Sequence, residues 1–173
     1  MSGTSHEPAG TAGKEVVRRL IDEVMNQRRL DVLHEIYDAR LVDAARRWIE
    51  SFLCSFTDVE MRIVELIAEG DRVVGRFTCS GTHTAEWLGH SPTGKRFRNV
   101  PEVYFFSILD GRITAAWGLE DTLAATVAVN TVAATRDELG AAARTLYFVV
   151  LVSRCRRCSF LPCHCSWSSR TGR

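Results

Sequence analysis

From Lys14 to Gln27 the apolar residues Val16, Val17, Leu20, Ile21, Val24 and Met25 fall on one side of a helical wheel, with Arg18, Arg19, Asp22 and Glu23 opposite. Arg28 and Arg29 interrupt that pattern. Asp31 can then cap a shorter helix whose inward residues are Val32, Leu33, Ile36 and Tyr37. Ala45, Trp48, Ile49, Phe52, Leu53 and Phe56 predict a third helix at the same spacing. After Thr57 the period drops to that of a strand, carried by Val59, Met61, Ile63 and Leu66, and Glu69-Gly70-Asp71 turns the chain. A second strand over 72–82 sets Val73, Gly75, Phe77 and Cys79 against Val74, Arg76, Thr78 and Ser80, so one face is drier than the other. A long strand is expected over 95–109, with Pro101 placing an edge or a bulge inside it. Asp110-Gly111 is a hairpin signal leading to a strand over 112–118. Helices first and a hairpin-linked antiparallel sheet afterwards predict an α+β architecture.

Composition leaves that reading intact. A chain of 173 residues, 46% apolar and 25% charged, suits a globular protein with a sizeable core. Its formal charge of +1 hides an asymmetry, because residues 144–173 hold six of the 22 basic residues and none of the 21 acids. The remainder therefore carries 16 bases against 21 acids, a balance of −5. The longest apolar run near the end, Leu146 to Val152, is far short of the ~20 residues a membrane helix needs. Residues 1–13 are small and polar, without a secretory pattern, and are expected to be a disordered leader; cytoplasmic localisation follows. No phosphate loop, nucleophile elbow or His-Glu-x-x-His motif occurs, so nucleotide, serine-hydrolase and zinc-protease chemistry lack support.

The most informative stretch is Gly81-Thr82-His83-Thr84-Ala85-Glu86-Trp87-Leu88-Gly89-His90-Ser91-Pro92-Thr93-Gly94-Lys95-Arg96-Phe97, a short lid between two strands. Together with Asp110-Gly111-Arg112-Ile113 and Trp117-Gly118-Leu119-Glu120-Asp121 it resembles the SnoaL-like polyketide cyclases, or ester cyclases, of the nuclear-transport-factor-2-like superfamily. The resemblance spans about residues 14–128. It implies a cystatin-like α+β barrel, a cone of curved antiparallel sheet wrapped around the N-terminal helices. It also implies cofactor-free aldol cyclisation or isomerisation of a small polyketide-like molecule, the work of a lyase or isomerase, and a homodimer formed through the outer sheet face, where Val103 and Phe105 would lie.

The resemblance also exposes a departure. Family members carry His-Trp-Asp on a late strand, and both proton-bearing residues face the pocket because strand side chains alternate. Anchored on Trp117, the matching residues are Ala116 and Gly118, neither of which can move a proton. Glu102 and Tyr104, two apart on the preceding strand, are the candidate substitutes: a carboxyl in an apolar cone has a raised pKa, and a phenol can donate to a carbonyl oxygen. The competing reading places Glu102 on a solvated strand edge and Tyr104 in the core. His83, Trp87, Leu88, Phe77 and Phe106, with Ala116 and Gly118, are the expected ligand-binding positions, although His83 serves equally well as a structural hydrogen-bonding residue of the lid. His34 and His90 are expected at the surface. Asp121 matches a position that caps a last helix. Leu41-Val42-Asp43 runs straight into the third helix where the family has a longer connection, implying a smaller or more open cavity.

Residues 129–173 lie beyond the resemblance and are read as an appended tail, alanine-rich and then rich in Cys and Arg. Cys155, Cys158, Cys163, His164 and Cys165 hold enough soft ligands for zinc, but the two pairs are too close together for the usual double knuckle, so no metal is expected. No cofactor, nucleic acid or membrane partner is expected either. Two function classes remain open: a cyclase or isomerase acting through Glu102 and Tyr104, and a non-catalytic binding module or degenerate family member.

Overall fold

The computed structural model describes residues 9–87, 89–121 and 147–152. Helix α1 (Ala9–Arg19) continues as one π-helical segment, Leu20–Asn26. A 3-10 turn, Leu30–Val32, leads into the short α2 (Leu33–Ile36), and α3 (Val42–Ser55) follows. Four long strands come next: β1 (Phe56–Glu69), β2 (Arg72–His83), β3 (Arg96–Leu109) and β4 (Arg112–Asp121). The six-residue strand β5 (Tyr147–Val152) pairs with β4. All pairings are antiparallel and sequential, so β1 and β5 form the two edges and the sheet is curled but not closed. The expected cone of helices and curved sheet is therefore the fold.

The first helix starts earlier than its apolar pattern predicts, at Ala9 and not after Gly13, which removes part of the expected leader; residues 1–8 lie outside the described residues. Gly10 and Gly13 allow this. A Cβ on Gly13 would come within 3.1 Å of Val73 Cγ2, and one on Gly10 within 3.4 Å of Ala68 Cβ, so helix and sheet approach at a distance that larger residues would hold open. Arg28 breaks the helix at φ 60 and turns its guanidinium onto the carbonyl oxygens of Leu53 and Phe56, where α3 passes into β1.

Alternation along the strands builds the concave face. Val73, Phe77 and Cys79 of β2, Val100 and Phe106 of β3 and Ile113 and Ala116 of β4 are buried against Val17, Ile21 and Val24 of the first helix and Ile49 and Leu53 of α3. The curl is introduced where register slips, at Thr57/Glu60, Ile63/Glu65, Cys79/Gly81 and Ser107/Ile108. Pro101 belongs to a central strand, yet locally it meets the expectation. It sits just after the Cys79/Gly81 slip and one residue outside the last β3–β4 pair, Glu102 with Glu120.

Candidate functional site

Two adjoining recesses open between the helices and the concave face. The larger, about 550 Å³ including its mouth, is walled by Leu20, Ile21 and Met25 of the first helix, Trp48, Ile49 and Phe52 of α3, and Tyr37, Met61, Tyr104, Phe106 and Ala116. The smaller, about 270 Å³ on the same measure, is walled by Phe52, Phe56, Trp87, Phe97 and Val100, with Glu102, Glu120 and Asp121 at its acidic end. Phe52 belongs to both walls, and among the described residues no lysine or arginine belongs to either.

The alternation of β3 turns Glu102, Tyr104 and Phe106 to the concave side, and antiparallel pairing sets them opposite Glu120, Gly118 and Ala116 of β4. Glu102 is only 8% exposed, which removes the solvated-edge reading. The Tyr104 hydroxyl donates a hydrogen bond to Glu120 Oε1. Cys79, from β2, places its thiol against Glu102. Four titratable side chains from three strands thus meet in a largely apolar place.

Electrostatics follow from that burial. Desolvation pushes the Glu102 carboxyl well above the usual carboxylate range, and the charge of Glu120 opposite pushes it further. Glu120 is also raised by burial, but the Tyr104 hydroxyl bonded to it pulls in the other direction. Burial, then the two carboxylate charges, hold the Tyr104 phenol and the Cys79 thiol in their protonated forms. A cluster of this kind can store and move a proton near neutral pH, and a phenol beside it can donate to an oxygen.

Of the other sequence-predicted residues, Trp87, Phe106 and Ala116 line a recess, whereas His83, Phe77 and Gly118 do not. Trp87 closes the smaller recess, and Ala116 and Phe106 line the larger. Gly118 lies directly under the Tyr104 ring, into which a Cβ at 118 would project. Phe77 is wholly buried and meets Tyr104 edge-on at 6.0 Å. His83 is wholly buried, packs on Phe56 at 5.3 Å, and has Thr93 Oγ1 3.4 Å from Nδ1, while its Nε2 finds no partner. Its backbone holds the lid: His83 N–H donates to the Lys95 carbonyl and Gly94 N–H to that of His83. Burial lowers the pKa of the ring. Trp87 and His90 exchange backbone hydrogen bonds across the lid turn, His34 is exposed, and Leu88 lies outside the described residues. Asp121 ends β4 at the smaller recess; the residues it was expected to cap, like the tail cysteines and His164, lie outside the described residues.

Glu120 is the residue the sequence reading passed over. The signal was present, since it is the next inward position after Ala116 and Gly118, but the strand was expected to end at Gly118 and in fact runs to Asp121.

Comparison with known proteins agrees with the fold. The SnoaL-like polyketide cyclase family model matches residues 15–128. A proposed SnoaL-like polyketide cyclase from Jannaschia sp. CCS1 has the same fold, with a TM-score of 0.67 and 24% identity over 76% of this chain and 100% of that one. AclR from Streptomyces galilaeus, a proposed hydroxylase, superposes with a TM-score of 0.65 at 21% identity, covering 79% of this chain and 92% of its own. TsrD from Streptomyces laurentii gives a TM-score of 0.65 at 21% identity, over 73% of this chain and 100% of its own. No functionally curated protein matches the chain.

Proposed function

This chain belongs to the SnoaL-like polyketide cyclase family, and we propose that it binds a small, apolar, polyketide-like molecule across its two adjoining recesses and moves a proton on it, at the acidic end of the smaller one, without a cofactor. The reaction class is aldol cyclisation or isomerisation. The observation that carries this reading is the meeting of Glu102, Tyr104 and Glu120 at recess walls that, among the described residues, hold no basic residue. With Ala116 and Gly118 at the family's acid–base positions, the proton carrier has moved one strand over to Glu102, and Tyr104 supplies the hydroxyl. His83, Trp87, Leu88, Phe77 and Phe106 shape the ligand site and its lid. The working form is a cytoplasmic homodimer joined through the outer sheet face at Val103 and Phe105. Among the described residues no helix is long and apolar enough to cross a membrane.

A second reading, a binding module without catalysis, draws support from Ala116 and Gly118 themselves, since a cone that lost its inherited proton carriers still encloses a ligand. Deuterium exchange separates the two. A polyketide-like aromatic carrying an acidic C–H is incubated with the full chain in D₂O, and its deuterium content is followed by mass spectrometry while affinity is measured by calorimetry. The enzyme exchanges that proton, and Glu102→Gln slows exchange roughly 10²–10⁴-fold with affinity within a few-fold of wild type. Binding without exchange above buffer leaves the binding module, and no binding removes both readings.

A further inference from the structure

We propose that Glu102 and Glu120 act as one pair sharing a single proton, with Glu120 the base, Glu102 the acid, and Tyr104 the positioning residue that sets this order. The catalytic half of the proposal rests on the proton-transfer reading above; the pairing itself does not.

The geometry gives three reasons. First, Glu102 and Glu120 are direct partners in the β3–β4 ladder and face the same side, where opposed Cβ atoms stand about 4.5–5.5 Å apart. Both line the smaller recess beside Phe52, Phe56, Trp87 and Phe97, rings that offer no counter-charge. Two anions on such neighbouring positions in these surroundings repel, and retaining one proton between them relieves the repulsion. Second, the pair is not symmetric. Glu120 accepts the Tyr104 hydroxyl, a bond that strengthens when Glu120 is ionised, whereas Glu102 meets the Cys79 thiol, a weak donor. The negative charge therefore settles on Glu120 and the proton on Glu102. Third, among the described residues the groups lining the smaller recess include no cation. Cys79 comes from β2, Tyr104 from β3 and Asp121 from β4; the α3 wall contributes Phe52 and the lid Trp87.

The consequence is an acid and a base in one site at one pH. Glu120 removes the proton from a carbon next to a carbonyl, so the C–H bond breaks and its electron pair becomes an enolate. The enolate carbon attacks a second carbonyl of the same molecule and forms the C–C bond. The resulting alkoxide takes the proton of Glu102, forming O–H. Glu120 then holds the proton taken from carbon and Glu102 is ionised; passage of that proton from Glu120 to Glu102 restores the starting state. The product is an isomer of the substrate, and no oxidant or second reactant is consumed.

The test of pairing needs no ligand. Full-length protein labelled with ¹³C at the glutamate carboxyls is titrated by NMR, with Glu102→Gln and Glu120→Gln assigning the signals. Wild type is expected to show two well-separated steps for the pair, the upper one beyond the range of the exposed glutamates. Either Gln variant leaves one step, below the upper wild-type step, and Tyr104→Phe moves the Glu120 step upward. If Glu102 and Glu120 each titrate at the same pH with and without the other, the pairing is overturned. The wild-type and Tyr104→Phe titrations still decide should a Gln variant fail to fold, because a pair in which both carboxyls ionise in the ordinary range overturns the proposal on its own. In the exchange assay, Glu120→Gln is expected to lose as much activity as Glu102→Gln, with the double variant no worse than either, as befits groups acting as a unit. Exchange that survives Glu120→Gln overturns its assignment as base. A paired titration without any exchange removes the catalytic reading and leaves the pair standing.

Discussion

Gly118 and Tyr104 are opposed in the β3–β4 ladder and divide one volume between them. The Tyr104 ring occupies the place that any side chain at 118 would need, so the absence of a side chain at 118 and the reach of Tyr104 toward Glu120 are one arrangement. Gly118→Asp is therefore expected to weaken the fold by about 1–3 kcal/mol through overpacking, read as a lower urea midpoint at constant m-value. Adding Tyr104→Ser should recover part of the loss, because the two changes share a space. An unchanged midpoint for Gly118→Asp alone would show that the ring yields freely. Glu102 yields a pH prediction. Its carboxyl is raised above the ordinary value of 4.5, so the folded state holds the proton more tightly than the unfolded one. This stabilisation is complete below pH 4.5 and is lost as pH rises through the folded-state pKa. Thermal midpoints should decline across that range, and Glu102→Gln should flatten the decline; equal slopes for the two proteins would refute it. Part of this site was legible in the sequence: period two put Glu102 and Tyr104 on one face of β3, and the family resemblance, anchored on Trp117, made 116 and 118 inward positions. Glu120 was not, because a glutamate followed by an aspartate near an apolar run's end reads as a solvated terminus. Only pairing with β3 carries the strand on to Asp121.

At the level of elements, the first helix and β1 are joined by a side chain imitating a strand. Asn26 donates to the Met61 carbonyl at 2.9 Å and accepts the Met61 N–H at 2.8 Å. β1 is an edge strand, so these are ladder groups that no neighbouring strand would satisfy. The π-helical stretch Leu20–Asn26 brings Asn26 to this position while Leu20, Ile21 and Val24 stay buried. Removing the amide strands both backbone groups, and Asn26→Ala is expected to cost about 1–3 kcal/mol in urea unfolding. Asn26→Asp, which keeps the acceptor and loses the donor, should fall between the two; a variant as stable as wild type would mean water replaces the amide. The helices themselves were readable from their apolar spacing. The early start at Ala9 was not, since glycines at 10 and 13 argue locally against a helix and are favoured only by the nearness of Val73 and Ala68. Nor was the π-helical winding, which accompanies a contact between residues 35 apart in the chain.

The sheet as a whole has a second, outward face, and its alternation makes that face apolar wherever the concave face is acidic. Phe105 and Trp117 stack there with centroids 4.5 Å apart and planes inclined by 3°, and Trp117 is 39% exposed. Val103 lies beside them on β3, opposite Leu119. The hairpin pattern of β1 to β4 was visible from period and turns. The joining of residues 147–152 to the edge of β4 was not, because a strand paired across a long intervening segment leaves no mark in local spacing. That pairing covers the β4 edge, and the flat aromatic face is the surface on which the proposed homodimer would join. A two-fold contact brings each residue near its own equivalent, so one substitution acts twice. Trp117→Glu should accordingly convert a dimer sedimenting at micromolar concentration into a monomer. The concave face should be undisturbed, because residues 116 and 118 point the other way, and the paired titration of Glu102 and Glu120 provides the control. A wild-type protein that sediments as a monomer would overturn the dimer. A Trp117→Glu variant that stays dimeric would place the contact elsewhere on the molecule. Dissociation accompanied by loss of the paired titration would mean that the outer contact holds β3 against β4 and that the acid pair depends on assembly.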